Sequence, residues 1–69
     1  MRVTWQDIDS WREARDMDKS ELARAVGISE STIYRGLQRN SRPLASTRRE
    51  IRKIFPEKFD EQGEVRSDG

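Results

Sequence analysis

Residues 19–37 read KSELARAVGISESTIYRGL, and this stretch predicts two short helices joined by a tight turn. Ala23 is small where two steeply crossed helices approach each other, and Gly27 can adopt the positive φ that such a turn requires. The apolar side chains fall on the inner sides of both helices at Leu22, Val26, Ile28, Ile33 and Leu37. The spacing therefore predicts a helix-turn-helix.

The two helices of this unit have their own boundary signals. Asp18 and Glu21 form a capping pattern in front of a helix over about residues 19–26. The next helix is predicted between an N-cap at Ser29 and a left-handed stop at Asn40. The unit is thus bounded at both ends.

A further helix is predicted before this unit, over about residues 5–15. Thr4 and Asp7 have the spacing of a capping box at its start. Four apolar residues recur at helical spacing and are expected to face a core: Trp5, Ile8, Trp11 and Ala14. We expect Trp5 to be partly exposed and therefore a candidate dimer contact.

A fourth helix is predicted after the unit, over about residues 47–55. Pro43 prevents continuity with the preceding helix, Ser46 or Thr47 provides the start, and Pro56 ends it. Its apolar stripe is expected at Ile51, Ile54 and Phe55, with Phe59 as a last core residue.

These elements predict an all-α fold, a compact bundle of four or five short helices that contains the helix-turn-helix. The bundle is expected to occupy residues 1–59. Residues 60–69 are polar, acidic and glycine-containing, and we expect them to form a disordered tail that can bind a protein partner.

Composition limits the functions open to the chain. With 69 residues it holds one domain at most, and it has neither cysteine nor histidine. A thiolate metal site, a disulfide and the usual general base are therefore excluded. We expect no enzyme activity, no cofactor and no metal. No apolar run approaches the roughly 20 residues of a membrane span, so a cytoplasmic, nucleoid-associated protein is expected.

The net charge of +1 conceals an uneven distribution of charged side chains. Residues 1–32 carry five basic and seven acidic side chains, residues 33–58 carry eight and two, and residues 59–69 carry one and four. This pattern indicates a basic face and an acidic tail. The alternative is that the arginine-rich helices only keep a small domain soluble.

Several segments resemble the Cro/C1-type phage-repressor family across roughly residues 4–58. The segments that carry the resemblance are residues 11–15, Met17, and residues 21–23, 27–29 and 31–33. Residues 31–54 are also similar to the headpiece of lactose-repressor-type regulators, although that class places its motif at the extreme N-terminus. Residues 31–35 resemble the DNA-binding domains of serine recombinases.

These resemblances imply that the helix after Ser29 enters the major groove of duplex DNA. The candidates for base contacts share the face opposite Ile33 and Leu37, and they are Glu30, Ser31, Tyr34, Arg35 and Gln38. Arg35 can donate hydrogen bonds to O6 and N7 of guanine, and Gln38 can form hydrogen bonds with adenine. Tyr34 can contact a thymine methyl group or a phosphate. An exposed helix face without base contacts is the alternative.

Glu30 departs from the family, in which glutamine is usual at this point. Its carboxylate can accept a hydrogen bond from the N4 amino group of cytosine, or it can simply stabilise the N-terminus of the helix. The candidates for phosphate contacts are Lys19, Thr32, Arg39, Arg42 and Arg48. The remaining basic residues of the fourth helix are expected to be solvated, and Arg12 and Arg15 to pair with Glu13, Asp16 or Glu21.

The leading functional hypothesis is a transcriptional repressor that binds a short operator as a homodimer. One alternative is the DNA-binding part of a recombination or excision system, although the arginine- and glycine-rich arm for minor-groove tracking is missing. Another is a protein-interaction module such as an antitoxin, which the acidic tail favours.

Overall fold

The computed structural model describes residues 3–60, and every regular element in this range is a helix. The elements are α1 (Trp5–Ala14), α2 (Lys19–Val26), α3 (Glu30–Arg39), α4 (Ala45–Ile54) and a 3-10 turn (Pro56–Lys58). The all-α prediction is confirmed. None of these helices combines the length and apolar character needed to cross a lipid bilayer. Apart from Asp60, the expected acidic tail lies outside the described residues.

The predicted capping signals are present at the starts of α1 and α2. The backbone N–H of Thr4 donates to Oδ2 of Asp7 at 2.9 Å, and that of Asp18 donates to Oε1 of Glu21 at 3.3 Å. Gly27 ends α2 with a φ of +84°, as the turn requires. Polar side chains and one glycine therefore set these boundaries.

The start of α4 differs from the sequence prediction. The helix begins at Ala45, and its N-cap is Leu44, whose side chain makes no capping hydrogen bond. Leu44 is extended, with a ψ of 157°, so the helix can begin directly after the loop that contains Pro43. Thr47 does not cap the helix, because it lies one turn before Ile51 on the buried side.

The core forms where the inner sides of all four helices meet. The side chains that are buried most completely are Ile8, Leu22, Ile33, Ile51 and Phe55. Phe59 is also buried, so its predicted core position is confirmed. The half-buried Trp11 meets Phe55 and Phe59 with ring centroids 5.9 and 5.8 Å apart, so α1 packs on the C-terminal aromatic pair. The expected core position of Ala14 is wrong, because this residue is exposed.

Trp5 is 4% exposed, so the expectation that it is an exposed dimer contact is wrong. Its indole ring occupies the space beside Gly36 of α3. A Cβ atom on Gly36 would overlap Cδ1 of Trp5 and lie 2.5 Å from its Cγ. The backbone N–H of Trp5 also donates to the carbonyl oxygen of Ser41 at 3.0 Å. The start of α1 is therefore fixed against the second helix of the helix-turn-helix.

The two arginines of the first helical segment make different contacts from those expected. Arg12 is buried, and its Nε donates to Asp9 at 2.8 Å as well as contacting Glu13. The hydrogen bond to Asp9 raises the pKa of Arg12, which outweighs the opposing effect of burial. Arg12 also donates to the carbonyl oxygen of Met17 and so braces the turn between α1 and α2. Only its pairing with Glu13 was anticipated.

Arg15 connects α1 with the C-terminal end of the described chain. Its guanidinium donates to the carbonyl oxygen of Ile54 and to Glu57, each at 2.7 Å. A backbone hydrogen bond and the charge of Arg15 lower the pKa of Glu57. Because these partners lie 39 and 42 positions away in the chain, local spacing could not predict them.

We predict that Gly36→Ala destabilises the protein by about 1–3 kcal/mol through overpacking against Trp5. A loss of stability would be diagnostic, because replacing glycine by alanine inside a helix normally stabilises a protein by roughly 1 kcal/mol. Thermal unfolding followed by circular dichroism measures the effect. Trp5→Leu in the Gly36→Ala background should recover part of the loss, and a more stable Gly36→Ala protein would contradict the close packing.

Candidate nucleic-acid interface

Hydroxyl groups organise the N-terminus of α3. Ser29 is the N-cap, and its Oγ accepts from the backbone N–H of Thr32 at 3.3 Å. The same Oγ lies 2.9 Å from the hydroxyl of Thr32 and 3.1 Å from that of Ser31. At the other end Asn40 adopts a φ of +45°, so the predicted left-handed stop is confirmed. The predicted helix therefore forms with both of its expected ends.

The buried side of α3 is narrow. It consists of Ile33 and Gly36, with the partly buried Leu37 packed against the core. Because Gly36 has no side chain, Trp5 can approach the backbone of α3 at this point. Three inward positions in one ten-residue helix leave most of its side chains in solvent.

The five side chains predicted for base contacts are all exposed on α3, and they are Glu30, Ser31, Tyr34, Arg35 and Gln38. Tyr34 is the large aromatic residue among them and is 53% exposed. The ring has Nζ of Lys19 at 5.5 Å from its centroid, and its exposed surface is open to a ligand. Glu30 is the first residue of α3 and is the one acidic side chain of the set.

A groove of about 400 Å³ separates the outer side of α3 from the start of α4. Three arginines line it, namely Arg35, Arg39 and Arg42. Thr32 lies on the same wall, and Leu44 stands on the opposite side with 75% of its surface exposed. The groove thus combines cationic, hydroxyl and apolar groups.

The groove brings together three of the five side chains predicted for phosphate contacts, namely Thr32, Arg39 and Arg42. Arg48 is exposed on α4 but does not line the groove, and Lys19 lies at the start of α2. Three of the candidates therefore share the groove, and two lie outside it. Such an arrangement can follow an extended polyanion better than it can enclose a single small anion.

Lys19 is partly buried and does not extend freely into solvent. Its Nζ lies 3.9 Å from Oδ1 of Asp9 and 5.5 Å from the ring centroid of Tyr34. The ammonium group therefore lies between α1 and the exposed face of α3. Asp9 was not among the residues singled out from the sequence, although its spacing to Arg12 is typical of a helical ion pair.

Six other residues of the groove were also missed, and they are Trp5, Gly36, Ser41, Pro43, Leu44 and Thr47. The i, i+4 spacing of Thr47 and Ile51 could have revealed that Thr47 faces inward. No local pattern marks Leu44, because its exposure follows from the path of the loop around the buried Pro43. Both positions depend on where α4 begins.

A family model described as the Cro/C1-type HTH DNA-binding domain matches residues 7–53. The matched range contains all of α2 and α3 and most of α1 and α4. It therefore includes the exposed side of α3 and every residue that lines the groove except Trp5. No curated protein and no solved structure matched the chain.

Proposed function

The chain belongs to the Cro/C1-type helix-turn-helix DNA-binding family, and we propose that it is a transcriptional repressor that binds a short operator in duplex DNA. Membership of the family supports DNA binding and a role in transcription regulation. The observation that carries the proposal is the exposed polar side of α3 next to an arginine-lined groove. An α-helix fits the major groove of B-form DNA, where each base pair presents its own pattern of donors and acceptors.

In this proposal α3 lies in the major groove and α2 crosses the sugar–phosphate backbone. Arg35 donates to guanine O6 and N7, Gln38 contacts adenine, and Tyr34 packs on a thymine methyl. Glu30 accepts from cytosine N4, and Ser31 provides a short adaptable hydroxyl. Each bidentate contact contributes roughly 1–3 kcal/mol of discrimination between bases.

Phosphate contacts supply affinity and register in this proposal. Thr32, Arg39 and Arg42 bind the backbone along the groove, while Lys19 and Arg48 bind it outside the groove. The support for this arrangement is that Arg39 and Arg42 are exposed where they line the groove, and that arginine matches phosphate with a planar fork of donors. Leu44, at the rim of the groove, can pack against deoxyribose.

We also propose that two copies bind as a homodimer on a two-fold symmetric operator. A single small module buries only about 600–1,000 Å² on DNA, so a second copy is the usual route to tight binding. Among residues 3–60 the exposed large apolar side chains are those of Tyr34 and Leu44. Because both lie on the proposed DNA side, we expect the two copies to associate mainly once they are bound to DNA.

DNA affinity should fall steeply as salt concentration rises. If the four basic candidates for phosphate contacts each neutralise one phosphate, a log–log plot of the association constant against salt should have a slope of about −3 to −4 per protomer. Fluorescence anisotropy with a labelled duplex between 50 and 300 mM salt measures this slope. A flat plot would contradict phosphate-driven binding.

Arg35→Ala and Arg42→Ala should differ in their effects on sequence preference. Arg35→Ala should relax the preference at one base position, because it removes a base contact. Arg42→Ala should weaken binding to all sequences alike and reduce the salt slope by about 1. Selection from a random duplex pool gives the profiles of both variants and of the unmodified protein. Indistinguishable profiles for the two variants would overturn the assigned roles.

Stoichiometry tests the proposed homodimer. Sedimentation at micromolar concentration should show two protein copies per palindromic duplex, with half-sites about 34–36 Å apart. A duplex that carries one half-site is the matched control and should bind one copy more weakly. One copy bound to the palindromic duplex at saturation would refute the homodimer.

A further inference from the structure

The ammonium group of Lys19 lies beside a carboxylate that belongs to another helix. Oδ1 of Asp9 is 3.9 Å from Nζ of Lys19, and the two side chains are only 20% and 27% exposed. Asp9 lies in the middle of α1, whereas Lys19 is the first residue of α2. The pair therefore connects the supporting helix with a residue proposed to bind phosphate.

The position of Asp9 is itself fixed by a buried group. Arg12 is 8% exposed and donates from Nε to the same Oδ1 of Asp9 at 2.8 Å. Arg12 is held in turn by the carbonyl oxygen of Met17. The carboxylate cannot follow Lys19 outward without breaking these contacts, so Lys19 must leave Asp9 if it is to reach a phosphate.

The ammonium group of Lys19 has a second contact that holds it against the protein surface. Its Nζ lies over the ring of Tyr34 at 5.5 Å from the centroid, in the arrangement of a cation–π interaction. Among the acidic residues nearby, Glu13 is 67% exposed and contacts Arg12 at 3.3 Å, but forms no ion pair with Lys19. Among residues 3–60, Asp9 is the residue whose carboxylate lies at ion-pair distance from Lys19.

We propose that Asp9 is an affinity-limiting residue that competes with DNA phosphate for the ammonium group of Lys19. This inference rests on the proposed function, in which Lys19 contacts the DNA backbone. In free protein the ammonium is shared with a carboxylate, and on DNA that ion pair must be exchanged for one with phosphate. Lys19 therefore contributes less to DNA affinity than an unrestrained lysine or arginine would.

Asp9→Asn tests this proposal, because it removes the charge and keeps the shape and a hydrogen-bond acceptor for Arg12. DNA affinity should rise about two- to fivefold at low salt, the range expected for one partly exposed ion pair. The salt slope should become steeper by up to about 0.9, since Lys19 then contributes fully. Fluorescence anisotropy over a salt series measures both quantities, and circular dichroism checks that the variant is folded.

Two comparisons separate the proposed competition from a general effect of charge. Glu13→Gln removes a neighbouring carboxylate that also contacts Arg12, and it should leave affinity nearly unchanged. In a Lys19→Met background, Asp9→Asn should have almost no effect. An equal gain in that background would show that Asp9 simply repels DNA, and a lower affinity for Asp9→Asn alone would also overturn the proposal.

A further measurement does not depend on the folding of the Asp9 variant. With Asp9 intact, Lys19→Met should weaken binding and reduce the salt slope less than Arg42→Ala does, because Lys19 is restrained and Arg42 is exposed. Equal losses would contradict the restraint. Failure of the proposed function has a different signature, since the unmodified protein would then show no salt-dependent affinity for duplex DNA.

Discussion

The insertion of Trp5 beside Gly36 is the contact on which the orientation of α3 depends. A ring that fills the space next to a glycine fixes the distance and the rotation of two helices together, because neither can shift without a clash or a void. With this side of α3 occupied, its polar residues can only face solvent. The contact between Trp5 and Gly36 therefore orients the exposed side of α3 and also forms part of the wall of the groove beside it.

The helix-turn-helix could be predicted from the sequence because its signals are local. Ser29, Gly27 and Asn40 determine the ends of helices through their own backbone and side-chain preferences, which need no knowledge of the rest of the fold. For the same reason α2 and α3 have the predicted bounds. The exposure of the five base-contact candidates of α3 followed directly from these bounds and the helical period.

The contacts that sequence reasoning missed are those between distant parts of the chain. The burial of Trp5 depends on the absence of a side chain at Gly36, 31 positions later. The helical spacing of α1 places Trp5 on the stripe that faces the core, but it cannot show this contact, and the ring was expected to be partly exposed. The partners of Arg15 near the end of the described chain and the early start of α4 are similar cases. Local sequence rules therefore predict the bounds of helices better than they predict the contacts between helices.

The electrostatics of the protein depend on the placement of charges more than on their sum. A net charge of +1 would suggest weak attraction to DNA, yet three arginines surround one groove while the carboxylates of α1 lie elsewhere. Asp9 is the exception, because it is close enough to influence Lys19. Phosphate contacts strengthen binding to every DNA sequence, whereas base contacts favour only the operator. In the proposed complex, a carboxylate that restrains Lys19 weakens the sequence-independent part of binding, and the α3 side chains proposed to contact bases then contribute a larger share of the affinity.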